Sequence, residues 1–446
     1  MASEVLKTKA EQELAQQFEA GMPNLPGSDV AWTKAMRDAA WQTYAAVGLP
    51  HRRVEEWKYT DLRSLLKDAY PPAPALGEAL TTQDVDTALG QGAALDSYRV
   101  VVVNGHYREE LSNLDGLDGQ VVVQSLSDAL TTPSDWLQAT LGQVAPQPDD
   151  VVVALNAALM TGGVIVTVAK GAQVEKPVHL VHVAAVKDPA GLATRNVVHV
   201  GEGAALTLIE SYNDHSALAV QRNAVTELIA DDRAEVHHIK FQNENAESTH
   251  LSTWMTRLGA NVTYRAFQFS AGASVARNQV FVRFAGEGSS SHVSGAVLGR
   301  NRQHNDTTMV IDHAVPECES REFFKLVLDD EARGIVQCKV NVHRDAQKSD
   351  GHQIAHGLLL SEAAEFDSKP ELEIFADDVV CGHGSTSGQV DEDLLFYLRA
   401  RGIPEPEARA LLIEAFVGEA LEKIEREDVR NIFSATTSAW LGGKGA

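Results

Sequence analysis

The 446-residue sequence is poor in cysteine, in aromatic residues and in positive charge. Its three cysteines, Cys318, Cys338 and Cys381, are too few to staple a chain of this length, and none stands in a C-x-x-C pair. That excludes a disulfide framework, a closed zinc site and a thioredoxin-like motif. Aromatic residues make up 6%, thin for the stacking platforms of a sugar-binding cleft. Lys and Arg number 38 against 62 Asp and Glu, a formal charge of −24. Nucleic-acid binding and docking on anionic lipid both need a basic face, so the balance argues against both. No stretch approaches the ~18 uninterrupted apolar residues of a membrane span. The opening MASEVLKTKAEQELAQQ also lacks the apolar core of a secretory signal. The expectation is a soluble, cytoplasmic protein in a reducing compartment.

Catalytic signatures are missing as well. There is no G-x-x-x-x-G-K-[ST]; the sole Gly-Lys, Gly443-Lys444, is followed by Gly445 at the tail. A nucleotide-binding P-loop is therefore excluded from this chain. No G-x-S-x-G elbow, H-E-x-x-H or strand-linked G-x-G-x-x-G occurs either, and Gly201-Glu202-Gly203 reads as a turn.

What remains is a chain able to pack: 44% hydrophobic and 22% charged. At about 150 residues per domain its length suggests roughly three domains. The ends are helical. Residues 28–48 place Trp32, Met36, Ala39, Ala40, Tyr44 and Val47 at helical spacing, with Ser28-Asp29 as the N-cap and Gly48-Leu49-Pro50 as the stop. Residues 1–20 read the same way, and a short helix begins near Thr60. The Pro-, Ala- and Gly-rich stretch 71–95 reads as a linker. At the other end Asp391–Arg401 forms a helix stopped at Gly402. Residues 407–424 align Ala408, Leu411, Leu412, Ala415, Phe416, Ala420, Leu421 and Ile424 on one stripe. A further helix spans about 426–440, and the last five residues form a frayed tail. These signals set domains at 1–150 (mostly helical, with the linker), 151–390 and 391–446 (helical).

The middle domain is strand-rich, with Val- and Thr-rich runs broken by Gly, Asp and Ser, as in VIVTVAKGAQVEKPVHLVHV. A weak repeat overlies it: Ala172-Gln173-Val174, Ala204-Ala205-Leu206, Ala234-Glu235-Val236, Ala260-Asn261-Val262 and Ser291-His292-Val293, separated by 32, 30, 26 and 31 residues. Short strands at this period suggest stacked coils of a β-solenoid, with an antiparallel sandwich as the competing fold.

The richest local constellation is Asp377-Asp378-Val379-Val380-Cys381-Gly382-His383-Gly384. On a strand, residues two apart share a face, so Cys381 and His383 project together. Thiolate and imidazole are ligands that iron–sulfur chemistry uses. Two ligands do not enclose a metal, so such a site takes further ligands from another coil or chain. The competing reading is a packed Cys and a hydrogen-bonded His in a tight strand. Cys338, flanked by polar residues, is expected either exposed or as strand filler. Cys318 sits between Glu317 and Glu319, whose charges would raise its pKa. His237 and His238 point to opposite faces of a strand. Arg300-Asn301-Arg302-Gln303-His304-Asn305-Asp306 reads as an anion site or as the solvated ladder of a solenoid turn.

Several long, ordered stretches together resemble the SufB/SufD family of iron–sulfur cluster assembly scaffolds. They are Arg53-Val54-Glu55-Glu56-Trp57-Lys58-Tyr59-Thr60-Asp61-Leu62, Gly299–Asp306, Ala346–Ser349, Leu358–Ser361, Pro370–Val379, Cys381–Thr386 and Leu395–Ile403. Gly384 after His383 and the Trp-Lys-Tyr-Thr motif place the chain nearer the SufD branch than the SufB branch. The resemblance implies a right-handed parallel β-helix between helical N- and C-terminal domains, and a scaffold subunit without enzymatic activity of its own. It implies pairing with SufB through the β-helix ends and binding of the SufC ATPase by the C-terminal helices, here Leu395, Phe396, Tyr397, Arg399, Arg401 and Gly402. It also implies that His383, with Cys381 as second candidate, holds a transient iron–sulfur cluster shared with SufB, while nucleotide is bound by SufC alone. Cys338 stands where the family commonly has glycine and inherits no role. Two rival readings are a β-helix carbohydrate-active enzyme working through Asp377 and Asp378, and a self-associating, inert homodimer.

Overall fold

The computed structural model describes residues 7–75, 80–117, 119–144 and 150–442. Residues 1–6 of the first expected helix, 76–79 of the expected linker and 443–446 of the expected tail lie outside the described residues.

The N-terminal region is helical where the periodicity placed it. Helix α1 (Lys9–Gly21) opens on a capping box between Thr8 and Glu11. Helix α2 (Ala31–Val47) starts after Val30, with no side-chain cap from Ser28 or Asp29, and stops at Gly48, whose φ is 76°. Helix α3 (Leu62–Leu65) is capped by Asp61. The stretch read as a linker contains α4 (Thr82–Leu89), opened by a Thr81–Asp84 capping box. Its Val85 and Leu89, one turn apart, pack with Val101, Val103, Val181 and Val183. Tertiary burial thus stabilises a helix that local composition disfavours.

Strands β1 (Tyr98–Val103), β2 (His106–Tyr107) and β3 (Val121–Ser125) precede helices α5 (Leu126–Thr131), α6 (Asp135–Thr140) and α7 (Val151–Leu159). The solenoid proper follows as β4 (Val164–Val168), β5 (Val178–Ala184), β6 (Ala190–Val200), β7 (Ala205–Asp214), β8 (Val220–Ala230), β9 (Glu235–Gln242), β10 (Thr249–Leu258), β11 (Thr263–Ser270), β12 (Val275–Phe284), β13 (Ser290–Gly299), β14 (His304–His313), β15 (Glu319–Leu328), β16 (Arg333–Val342), β17 (Asp350–Leu359), β18 (Glu365–Ile374) and β19 (Val380–Gly388). From β4 onward each strand pairs in parallel with the strand two along, which builds a ten-stranded and a nine-stranded sheet facing each other. Strand β1 joins the first of these through β5. Parallel stacking of alternate strands is a β-solenoid and excludes the antiparallel sandwich.

Period-2 alternation puts one residue set into the lumen between the sheets: Val280, Val282 and Phe284 of β12, Phe324, Leu326 and Leu328 of β15, Val336, Cys338 and Val340 of β16. The coils touch closely at the turns. A Cβ at Gly286 would lie 2.1 Å from the Ala260 nitrogen, so only glycine fits there. Register corrects the repeat. Ala204 and Ala234 stack as the triplets propose, but Val236 lies on Tyr264 and Tyr264 on Ser291. The counterparts of Ala234 are then Val262 and Ser289, two residues from Ala260 and Ser291. A shortened turn, tolerated because turns are outside the ladder, hides the true column from a fixed-period search.

Helices α8 (Glu392–Arg399), α9 (Glu405–Leu421) and α10 (Glu427–Gly442) close the chain. They pack on the outer face of the ten-stranded sheet, where Phe433 stacks on Phe241, Phe267 and Phe269 at centroid distances of 5.4, 5.9 and 4.8 Å. The buried set on α9 is Ala408, Ile413, Val417, Ala420 and Leu421, whereas Leu411 and Ala415 are exposed. The expected stripe is out of phase because α9 is apolar around most of its circumference. Among the described residues no helix is long and apolar enough to cross a membrane.

Candidate functional site at the open end of the solenoid

The two ends of the solenoid differ. At the first, the β1–β2 hairpin and the antiparallel strand β3 sit at the sheet margins. At the second, β18 and β19 are the outermost strands of their sheets. Among the described residues no further coil covers them, so apolar side chains on and beside these last strands meet solvent. Phe375 is 67% exposed and Val380 62%, and Ile374 and Ile354 are partly bare.

Cys381 and His383 lie on β19, Cys381 stacked on Gly351 and His383 on Gln353. Gly351 and Gln353 are buried, so both β19 residues point to the lumen side, as the strand period requires. Cys381 packs against the end of the apolar core. Burial raises its thiol pKa, the Gly351 backbone opposes this, and the Asp350 and Glu322 carboxylates add to the rise. His383 is exposed. Gly384 beside it leaves open space, since an added Cβ would meet nothing within 4 Å. Among the described residues no three His, Cys, Asp or Glu side chains converge as a metal site. Asp377 and Asp378 are exposed in the turn before β19.

The other sequence candidates take different places. Cys338 is buried in the lumen wall, which removes the exposed reading. Cys318 is also buried, and burial contributes more to its raised pKa than Glu287 and Glu317 do. His237 lies on the outer face 3.2 Å from Glu235, while His238 is lumenal, 2.7 Å from Glu210 and stacked on Trp254 at 3.6 Å. The polar run 300–306 divides: Asn301 and Arg302 form a solvated turn stacked on the next one, Arg302 lying 3.6 Å from Glu331, while the run from Gln303 onward is buried. His304 and Asp306 are buried against the N-terminal segment: Thr60 Oγ1 lies 2.8 Å from His304 Nε2 and donates to Asp306, which also pairs with Arg277. The Arg277 guanidinium covers the Trp57 ring at 3.8 Å. Two of the resembling motifs are therefore halves of one structural latch.

Sequence reasoning missed two features that only register reveals. Outside the ten-stranded sheet, His237, Arg265, His292, Arg321 and His352 stack in one column that ends at Gly382. Inside, Glu210, Tyr212, Arg222, His238, Lys240, Glu244 and His250 form a fully buried charged cluster in mid-solenoid. On α8, Phe396 is 72% exposed and Tyr397 lies under the Arg401 guanidinium at 3.5 Å. Arg399 pairs with Glu405 at 3.2 Å, and Gly402 ends the helical segment with a φ of 86°. Leu395 turns inward and is 1% exposed, so it holds α8 in place and offers no surface.

Comparison with known proteins agrees with this architecture. Residues 182–416 match the family profile for the SUF system FeS cluster assembly SufBD core domain, and residues 8–180 match the SufBD protein N-terminal region. The chain is 30% identical over 438 residues to an iron–sulfur cluster assembly SufBD family protein of Synechocystis, covering 95% of this chain and 94% of that one. It is 30% identical over 440 residues to the iron–sulfur cluster assembly protein SufD of Escherichia coli, covering 95% and 99%. With SufD of Bacillus subtilis the identity is 30% over 289 residues, covering 63% and 64%. The solenoid, its helical ends and these matches together show that the chain belongs to the SufBD family of iron–sulfur cluster assembly proteins, on its SufD side.

Proposed function

We propose that this chain is the non-ATPase scaffold subunit of a SUF assembly complex, joined to SufB through the open end of its solenoid. The observation that carries this reading is the bare terminal coil. β18 and β19 offer two strand edges ready to continue each sheet, with Phe375 and Val380 as apolar contacts. On that coil His383 faces the lumen side of the joint beside Cys381. A nascent iron–sulfur cluster, as cargo, would take ligands from His383, with Cys381 as second candidate, and from SufB. The C-terminal helices, exposing Phe396 and Tyr397, suit docking of SufC, whose ATP hydrolysis then acts on the scaffold from outside. The chain itself binds no nucleotide and acts as a platform.

Reconstitution with SufB and SufC tests the reading. His383→Ala is expected to leave the melting temperature and complex assembly unchanged, because its side chain is exposed, and to abolish cluster accumulation followed by visible absorption. Undiminished clusters in the variant remove His383 from the site. Failure to co-purify with either partner removes the scaffold reading.

A further inference from the structure

One coil behind the open face the lumen holds a buried acid whose burial the Ser320 hydroxyl and the Arg321 charge offset only in part. Glu322 on β15 stacks in register on Gln353 of β17, and Gln353 stacks on His383. Glu322 is 2% exposed, and neither carboxylate oxygen has a hydrogen-bond partner among the described residues. Gln353 spends its amide nitrogen on the Glu371 carbonyl at 3.2 Å, so its Oε1 is likewise without a partner. From the facing sheet comes the buried thiol of Cys338. Glu322, Gln353 and Cys338 line one cavity of about 10 Å³, bounded by Pro370 and Gly384 of the last coil. That space suits a single water-sized body.

The chemistry of the lining selects what fits. Three acceptor oxygens and a sulfur share one enclosure. A buried polar group left unmade costs about 1–3 kcal/mol, more when charged. Burial pushes Glu322 up to about 8. Burial also holds the Cys338 thiol well above its ordinary range, with the Glu322 and Glu371 charges adding to it. A cation between the two acids reverses both effects, satisfies the oxygens and is neutralised by one carboxylate and one thiolate. Sulfur with carboxylate and amide oxygen favours a borderline transition metal over magnesium or calcium.

We propose that this lumenal cavity binds a thiophilic divalent transition-metal ion through Cys338 Sγ, the Glu322 carboxylate and Gln353 Oε1. The site uses neither Cys381 nor His383 and stands or falls apart from the function proposed above. Its sequence signal is absent, because the two anionic ligands come from different sheets and only the coil register brings them together.

Cobalt(II) titration of the full chain under anaerobic, thiol-free conditions tests it through the near-ultraviolet thiolate-to-cobalt charge-transfer band. The expected result is one equivalent bound with this band, retained in the Cys381→Ser/His383→Ala double variant. Cys338→Ser, nearly isosteric, should lose the band while melting as wild type does. Glu322→Gln should keep a weaker site, with affinity reduced at least about tenfold. No band in the wild-type chain would mean that the cavity holds only water beside a protonated Glu322, which overturns the proposal. A band that survives Cys338→Ser and disappears with Cys381→Ser places the metal on the open face and overturns it equally.

Discussion

Glu322 and Glu210 are both lumenal glutamates with no access to solvent, yet they are held in opposite states. Burial pushes Glu210 up, but His238 at 2.7 Å and the Tyr212 hydroxyl at 2.6 Å outweigh it and hold the carboxyl at about 2. For Glu322 burial outweighs the Ser320 hydroxyl and the Arg321 charge, and the carboxyl sits at about 8, above its ordinary value of 4.5. The folded state therefore binds this proton more tightly than the unfolded chain does. The corresponding stability is complete below about pH 4.5 and is lost as pH rises through 8. Glu322→Gln keeps the shape without the charge. In chelator-treated protein it should be more stable than wild type at pH 8, by on the order of 2–4 kcal/mol at about 1.4 kcal/mol per pH unit. The gain should fade by pH 5. Denaturant melts at the two pH values check this; an equal difference at both would assign the effect to packing alone.

Elements carry what single residues do not. The segment holding Trp57 and Thr60 is fixed by β12 and β14, where Arg277 touches Trp57, the Glu56 carbonyl and Asp306. Trp57→Ala removes a buried indole and should cost about 3–5 kcal/mol. Asp306→Ala leaves Arg277 buried without its counter-charge and should cost a similar amount. Because both act through one guanidinium, the double variant should fall short of the sum by about 0.5–3 kcal/mol. Denaturation of the four proteins measures this, and strict additivity would mean that the latch is not a unit. The same elements show what a sequence can disclose. Strand texture, the helical ends and the shared face of Cys381 and His383 follow from periods of 2 and 3.6, which are local. The latch, the outer column from His237 to His352 and the Glu322–Cys338 pair depend on register between residues about 15–30 apart or further. A two-residue change in turn length shifts that register without altering any strand. Helix α4 escaped for a related reason: its stabilising contacts, Val101 and Val181, lie elsewhere in the chain.

At the scale of the molecule the decisive feature is its polarity of construction, one end flanked by a hairpin and helices and the other a bare coil. An uncovered parallel edge with apolar side chains invites pairing with a further chain. The formal charge of −24 opposes pairing between identical copies, since their fields repel over roughly the Debye length of 8 Å at physiological salt. The isolated chain should then self-associate through the open end only weakly at low ionic strength and more strongly as salt screens the repulsion. Phe375→Glu/Val380→Glu adds charge at two exposed positions and removes their apolar contact, so it should keep the wild-type melting temperature. It should also be monomeric at every salt concentration and, under the proposed function, fail to bind SufB while retaining SufC through the proposed site on the C-terminal helices. Light scattering across a salt series, followed by co-purification with each partner, separates these effects. Association of the variant at wild-type strength would move the contact away from β18 and β19. Loss of SufC together with SufB would mean that the two docking surfaces are coupled through the solenoid.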